Sequence, residues 1–169
     1  MRHDGATRLT RDQLSIYLHD HLAAATFGEE LARRASRQNR GGPYGEFLEQ
    51  LVTQIEEDRV QLEAFIQRLG TGRDQLKTAV AWTGEKLGRL KLNGRLTGYA
   101  PLSRVIELEG LLAGVEGKHA LWRALREIAE DVPALDPAAL DELIVRAERQ
   151  LEGLRHQHVL AAREAFRRG

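Results

Sequence analysis

Apolar positions recur at steps of three and four along most of the chain, the period of amphipathic helices and not of strands. The longest such run is PLSRVIELEGLLAGVEGKHALWRALREIAED, residues 101–131. It carries two stripes side by side. Val105, Leu108, Leu112, Val115, His119 and Trp122 form one, and Leu102, Ile106, Glu109, Ala113, Glu116, Ala120 and Ala124 form the other. A helix with apolar residues on so much of its circumference is expected at the centre of a bundle. Glu109 and Glu116 share one face of it, which predicts a polar layer inside the core.

The remaining segments read as packing around that helix. After a polar tail, residues 1–9, Thr10 with Gln13 has the spacing of a capping box and predicts a helix running to about Asn39. Its stripe of Leu14, Leu18, His21, Ala25, Gly28, Ala32 and Ala35 turns His21 inward and His19 away from the centre. Gly41, Gly42 and Pro43 break the chain, and a second helix over about 44–69 places Leu51, Ile55, Asp58, Leu62, Phe65 and Leu69 on one seam. Asp58 is the only charge on that seam. Beyond Gly70 and Gly72, a shorter helix is expected within 73–95, with a stripe of Leu76, Val80, Thr83, Leu87 and Leu90. Val132 and Pro133 end the central helix. Asp136 then caps a last helix that has Pro137 at its first position and a seam of Leu140, Leu143, Ile144, Ala147, Leu151, Leu154, His158, Ala161 and Ala165.

Short loops join antiparallel neighbours, whereas a connection of about thirty residues between the second and third long helices can travel the length of a bundle. The expected fold is therefore one all-α domain over residues 10–169, two antiparallel hairpins joined by a single crossover that contains the short helix.

Composition narrows the function classes. The chain has 169 residues, 42% of them hydrophobic, enough for a sizeable core without a staple. Its 25 basic and 25 acidic residues cancel, so no global attraction to nucleic acid is expected. The most basic stretch, around Trp82, reads as a solvated face over a docking seam in preference to a surface for membranes or nucleic acid. With no cysteine, thiolate metal sites, disulfides and cysteine nucleophiles are excluded. No apolar run approaches the ~20 residues that span a bilayer, and the first residues lack a secretory pattern, so a soluble cytoplasmic protein is expected, with a homodimer left open. Phosphate loops, Ser-His-Asp sets and zinc-protease motifs are not visible.

The candidate chemistry lies on the inner stripes. Counted from one end of the bundle, His21, Asp58, Glu116 and His119 fall at comparable depth, a hard oxygen and nitrogen set suited to iron, manganese or zinc. The competing reading is a buried polar network of His21, Asp58, Glu109, Glu116 and His158 whose members satisfy one another and set the register. In it Asp58 is paired with His21 first, or with an arginine such as Arg155, and Glu109 pairs with His158. Glu152 and His156, spaced i, i+4, read as a surface pair.

The connectivity and the inner carboxylates resemble the ferritin-like superfamily, four-helix bundles with one long crossover. Its di-iron members supply one Glu from each of two helices and a Glu-x-x-His from each of the other two. Here Glu116-Gly117-Lys118-His119 matches that motif, but on the third long helix. Asp58 is followed by Gln61, and Glu152 by Arg155, where histidines would stand. The resemblance therefore implies a bundle whose metal centre is reduced or lost, similar to uncharacterised bacterial members of the superfamily. The implied function is a non-catalytic binding or stress-related scaffold without a cofactor. The alternative is a di-metal iron or manganese carboxylate protein acting on oxygen or peroxide.

Overall fold

The computed structural model describes residues 3–70 and 99–167, with side chains of the first helix from Asp12 onward. Among them are four long helices and no strand: α1 (His3–Gln38), α2 (Gly45–Arg68), α3 (Pro101–Glu127) and α4 (Pro137–Phe166). The expected short helix within 73–95, its basic face around Trp82 and the path of the crossover lie outside the described residues.

Helix ends follow local chemistry. Gly41 and Gly70 adopt positive φ, 75° and 61°, the left-handed conformation that closes a helix without Cβ strain. Gly45 begins α2 where a Cβ would stand 2.9 Å from the Asn39 carbonyl oxygen, so the turn between α1 and α2 requires a residue without one. At the start of α4 the Asp136 carboxylate accepts from the backbone N–H groups of Ala138 and Ala139 at 3.0 and 3.4 Å, with Pro137 behind it, as expected from the sequence. The first helix begins at His3, ahead of the expected cap at Thr10.

Paired side chains fix the directions. Arg59 meets Glu29 and Arg33 meets Glu56, which makes α1 and α2 antiparallel. Arg104 meets Glu164 and Arg126 meets Asp141, which does the same for α3 and α4. Arg34 with Glu107 and Leu31 against Gly110 set α1 antiparallel to α3, and Gln54 with Gln150 and Asp58 with Arg146 set α2 antiparallel to α4. α2 and α3 are therefore parallel and lie across the diagonal. Their backbones do not approach closely, and the space between them is filled by side chains such as Phe65 and Trp122, whose ring centroids are 6.1 Å apart.

Leu51, Ile55, Leu62 and Phe65 of α2 and Leu140, Leu143, Leu151 and Leu154 of α4 are buried, as their seams predict. The central helix corrects its reading. Its buried side runs Val105, Leu108, Leu111, Val115, Leu121, Trp122 and Leu125, while the stripe of Leu102, Ile106, Glu109, Ala113, Glu116, Ala120 and Ala124 is exposed throughout. That stripe lies on the far side of the helix from the core, so Glu109 and Glu116 form no internal polar layer. On α1 the histidines exchange roles. His19 is 4% exposed, with its Nδ1 2.8 Å from the Ser15 carbonyl oxygen, whereas His21 is half-buried against the edge of Tyr17.

Candidate functional site

Asp58 marks the centre of the most buried polar cluster. It sits in mid-seam on α2, between Ile55 and Leu62, and is only 2% exposed. An ionised carboxylate in such a place needs opposite charge and hydrogen bonds, because its desolvation costs several kcal/mol. Both come from the opposite hairpin. Lys118 on α3 donates from Nζ to Oδ2 across the bundle, and Arg146 on α4 brings Nη2 to 2.9 Å from Oδ1 in an ion-pair contact that lacks hydrogen-bond alignment. Gln150, itself buried, completes the cluster. Its amide oxygen accepts from Lys118 Nζ at 2.6 Å, and its NH2 donates to Gln54 Oε1 at 3.1 Å and Asp58 Oδ2 at 3.3 Å. Arg146 closes the charge balance by donating to Glu57 Oε2 at 2.7 Å, nearer solvent. Two cations and two carboxylates thus join three helices. Burial pushes the Lys118 ammonium below its ordinary range, and the adjacent Asp58 charge opposes that shift.

The sequence-predicted ligands are not brought together. Asp58 is buried as expected, but His21 is not its partner, and neither is Arg155, which lies 3.7 Å from Glu116 at an exposed position. Glu116 faces solvent. The His119 Nε2 is 3.5 Å from the exposed Glu148 carboxylate, without a hydrogen bond. Glu109 and His158 do meet, at 3.1 Å, on the outer side of the α3–α4 pair and not in the core. Glu152 and His156 are both exposed. Among the described residues no group of three or more His, Asp or Glu side chains converges as a metal site would require. Burial of the His21 ring holds its pKa below the usual imidazole range, against the opposing charge of Asp20.

Sequence reasoning missed Lys118, Arg146 and Gln150 because a long polar side chain between apolar stripes reads as a solvent face. The available signal was the requirement itself, since a carboxylate alone on an apolar seam implies a cation on a neighbouring helix.

A second polar cluster ties the other end of the two hairpins. Asn39, buried at the end of α1, donates to Tyr99 Oη at 2.9 Å and accepts from Arg104 Nε at 2.7 Å. The Tyr99 hydroxyl donates to Glu107 Oε2 at 2.8 Å, and Arg34 Nε lies 3.0 Å from the other Glu107 oxygen. Arg104 also stacks over the Tyr44 ring at 4.4 Å. Burial, reinforced by Glu107, pushes the Tyr99 hydroxyl up to about 12.

Beside the Asp58 cluster, α1, α2 and α3 line a pocket of about 170 Å³. Its walls are mostly apolar, with Ala25 and Gly28 on α1, Leu62 on α2, and Gly114 and Gly117 on α3; His21, Asp58, Arg59 and Lys118 are its polar lining. No protein-family model, curated protein or solved structure matches the chain.

Proposed function

We propose that the chain is a non-catalytic binding or stress-related scaffold, built as a ferritin-like bundle in which protein cations occupy the place of a metal centre. The observation that carries this reading is the Asp58 cluster. Its carboxylate lies at mid-depth in the bundle, where a di-metal protein would coordinate, and both of its oxygens already face cations from Lys118 and Arg146. A metal ion there would have to displace two buried or half-buried positive charges, and the remaining candidate ligands, His21, His119 and Glu116, do not converge on it. The up-down-down-up order of the helices supports the ferritin-like comparison, since a bundle with one long crossover has parallel second and third helices.

Elemental analysis tests the reading. Protein produced in medium supplemented with iron and manganese is expected to carry far less than one metal per chain and to leave peroxide unconsumed. Stoichiometric iron or manganese that Asp58→Ala removes would overturn it in favour of the di-metal alternative.

A further inference from the structure

The outer side of the α3–α4 hairpin leaves apolar side chains in solvent together. Leu102, Ile106, Val159 and Phe166 are between 47% and 65% exposed there, whereas Ile16 and Val60, also exposed, stand apart on α1 and α2. Val159 and Phe166 border one shallow hollow with His158 and Ala162. His158 lies 3.1 Å from Glu109, which brings that hollow beside the turn of α3 that carries Ile106.

The outer stripe of α3 is graded in size. Its large residues stand toward the N-terminus and its small ones toward the C-terminus, and the two halves match about Ala113. Leu102 lies as far before Ala113 as Ala124 lies after it, and Ile106 is matched in the same way with Ala120. Glu109 is matched with Gly117, and Gly110 with Glu116. At Gly117 a Cβ would meet nothing within 4 Å among the described residues, so packing within one chain does not account for the missing side chain. A second copy of the helix laid antiparallel on the first, Ala113 upon Ala113, sets each large residue on a small one.

The outer side of α4 is graded in charge. Asp141, Glu148 and Glu152 lie in its N-terminal half, and Arg155, Arg163 and Arg167 in its C-terminal half, all of them exposed. Glu152, Arg163 and Arg167 have no ion-pair partner among the described residues. Apart from Arg146, which is turned to α2, Arg149 alone interrupts the acidic half; Glu164, in the basic half, is turned to Arg104. Laid antiparallel on itself, α4 brings Arg155 to Glu152, Arg163 to Glu148 and Arg167 to Asp141 of the second copy, with Phe166 near its Val145. The change of sign falls between Glu152 and Arg155. Arg155 is 3.7 Å from Glu116 and His158 is 3.1 Å from Glu109, so this point lies within about one helical turn of Ala113. Size on α3 and charge on α4 thus place the same two-fold axis.

We propose that this outer face is the interface of a symmetric homodimer, with the second copy docked antiparallel about a two-fold axis at the level of Ala113. A two-fold interface must be self-complementary, and both helices meet that condition here. The overlap from Leu102 to Ala124 is about 35 Å long and roughly 20 Å wide for two helices, about 700 Å² per copy against the ~800 Å² of a standard interface. An anionic membrane or nucleic acid would meet the acidic half of α4 as like charge. The proposal goes beyond the scaffold reading, which concerns the interior of the bundle.

The chain contains no cysteine, so a single introduced one reports on its own symmetry mate. Ala113→Cys, at the axis, is expected to form a disulfide-linked dimer under mild oxidation at least about ten-fold faster than Val60→Cys, at an exposed position on α2. Sedimentation is expected to give a dimer for the native chain and a monomer for Ile106→Glu, with the helical circular dichroism unchanged. Glu152→Arg and Arg155→Glu are each expected to weaken association about ten-fold, and the two in one chain to restore it, because two copies of the pair cross the interface. The cross-linking rates decide alone if Ile106→Glu fails to fold, since both cysteines stand on the surface. A native chain that stays monomeric at about 100 μM, a folded Ile106→Glu that still dimerises, equal cross-linking rates or a charge exchange without recovery would each overturn the proposal. A monomer in which the Ala113→Cys thiol is shielded from a soluble thiol reagent would do so by showing that something other than a second copy covers the face. Elemental analysis reads the interior of the bundle and sedimentation its outer face, so the scaffold reading and the dimer fail separately.

Discussion

A carboxylate at 2% exposure is held by what surrounds it, and Asp58 distinguishes charge pairing from packing at single-residue scale. Lys118 is the more buried of its two cations, so Lys118→Met leaves Asp58 with Gln150 and a single cation, Arg146, which also serves Glu57. Breaking a buried pair from one side typically costs about 3–5 kcal/mol, whereas replacing both members with apolar residues is often close to neutral. Asp58→Leu and Lys118→Met are each expected to lower stability to urea by an amount in that range, and the double variant to lose less than their sum. Arg146 can then remain on Glu57. Additive losses would show that the two do not interact. The burial of Asp58 was legible because it is the lone charge on an otherwise apolar seam. Its partners were not, since Lys118 lies between the stripes of α3 and reaches inward on its long stem. His21 has the stripe position and the depth expected of a partner, but its ring packs against Tyr17 on its own helix.

At the scale of the elements, the helical glycines predict opposite outcomes for one substitution. Gly28→Ala and Gly117→Ala add a methyl group where nothing among the described residues stands within 4 Å, so each is expected to raise stability by about 0.5–1 kcal/mol through helix propensity. Gly110→Ala and Gly153→Ala force Leu31 and Phe47 to move and are expected to destabilise. Thermal unfolding of the four variants checks the split, and a uniform sign would refute it. Asp136→Ala removes an acceptor for two N–H groups of α4 and is expected to cost about 1 kcal/mol in the same assay. Helix ends were readable because Gly, Pro and Asp act locally. Which face of α3 turns inward was not, since two adjacent stripes of apolar and small residues differ little in their own pattern. The choice is made by where α1 and α4 lie, which no single helix encodes. The small residues of the outer stripe, Ala113, Ala120 and Ala124, are apolar enough to resemble a core face and small enough to expose little apolar area in solvent.

For the whole molecule, partly buried titratable groups set limits in pH, some of them in the polar clusters that dock one hairpin on the other. On the acid side His21 titrates below its ordinary 6.5, so the unfolded chain takes a proton before the folded one does. Its contribution is complete above pH 6.5 and is lost as pH falls through the lower folded value. On the alkaline side Tyr99 has the opposite sign. With its hydroxyl raised from 10 to about 12, the folded state keeps a proton that the unfolded chain gives up. That stability is complete below pH 10 and disappears as pH rises from 10 to 12. Burial raises Tyr44 as well, and Glu164 adds to the shift, so its contribution falls in the same direction. Lys118 opposes them, since its lowered value makes the folded state release a proton first and adds stability as pH climbs toward 10.5. Tyr99 is the informative group because its hydroxyl receives from Asn39 on α1 and donates to Glu107 on α3, so its ionisation places two anions together at the joint between hairpins. Tyr99→Phe is expected to be less stable than the native chain at pH 8, having lost both hydrogen bonds, yet to lose less further stability between pH 10 and 12. Urea midpoints measured from pH 8 to 12 compare the two curves. Parallel curves would show that the proton on Tyr99 plays no part in holding the hairpins together.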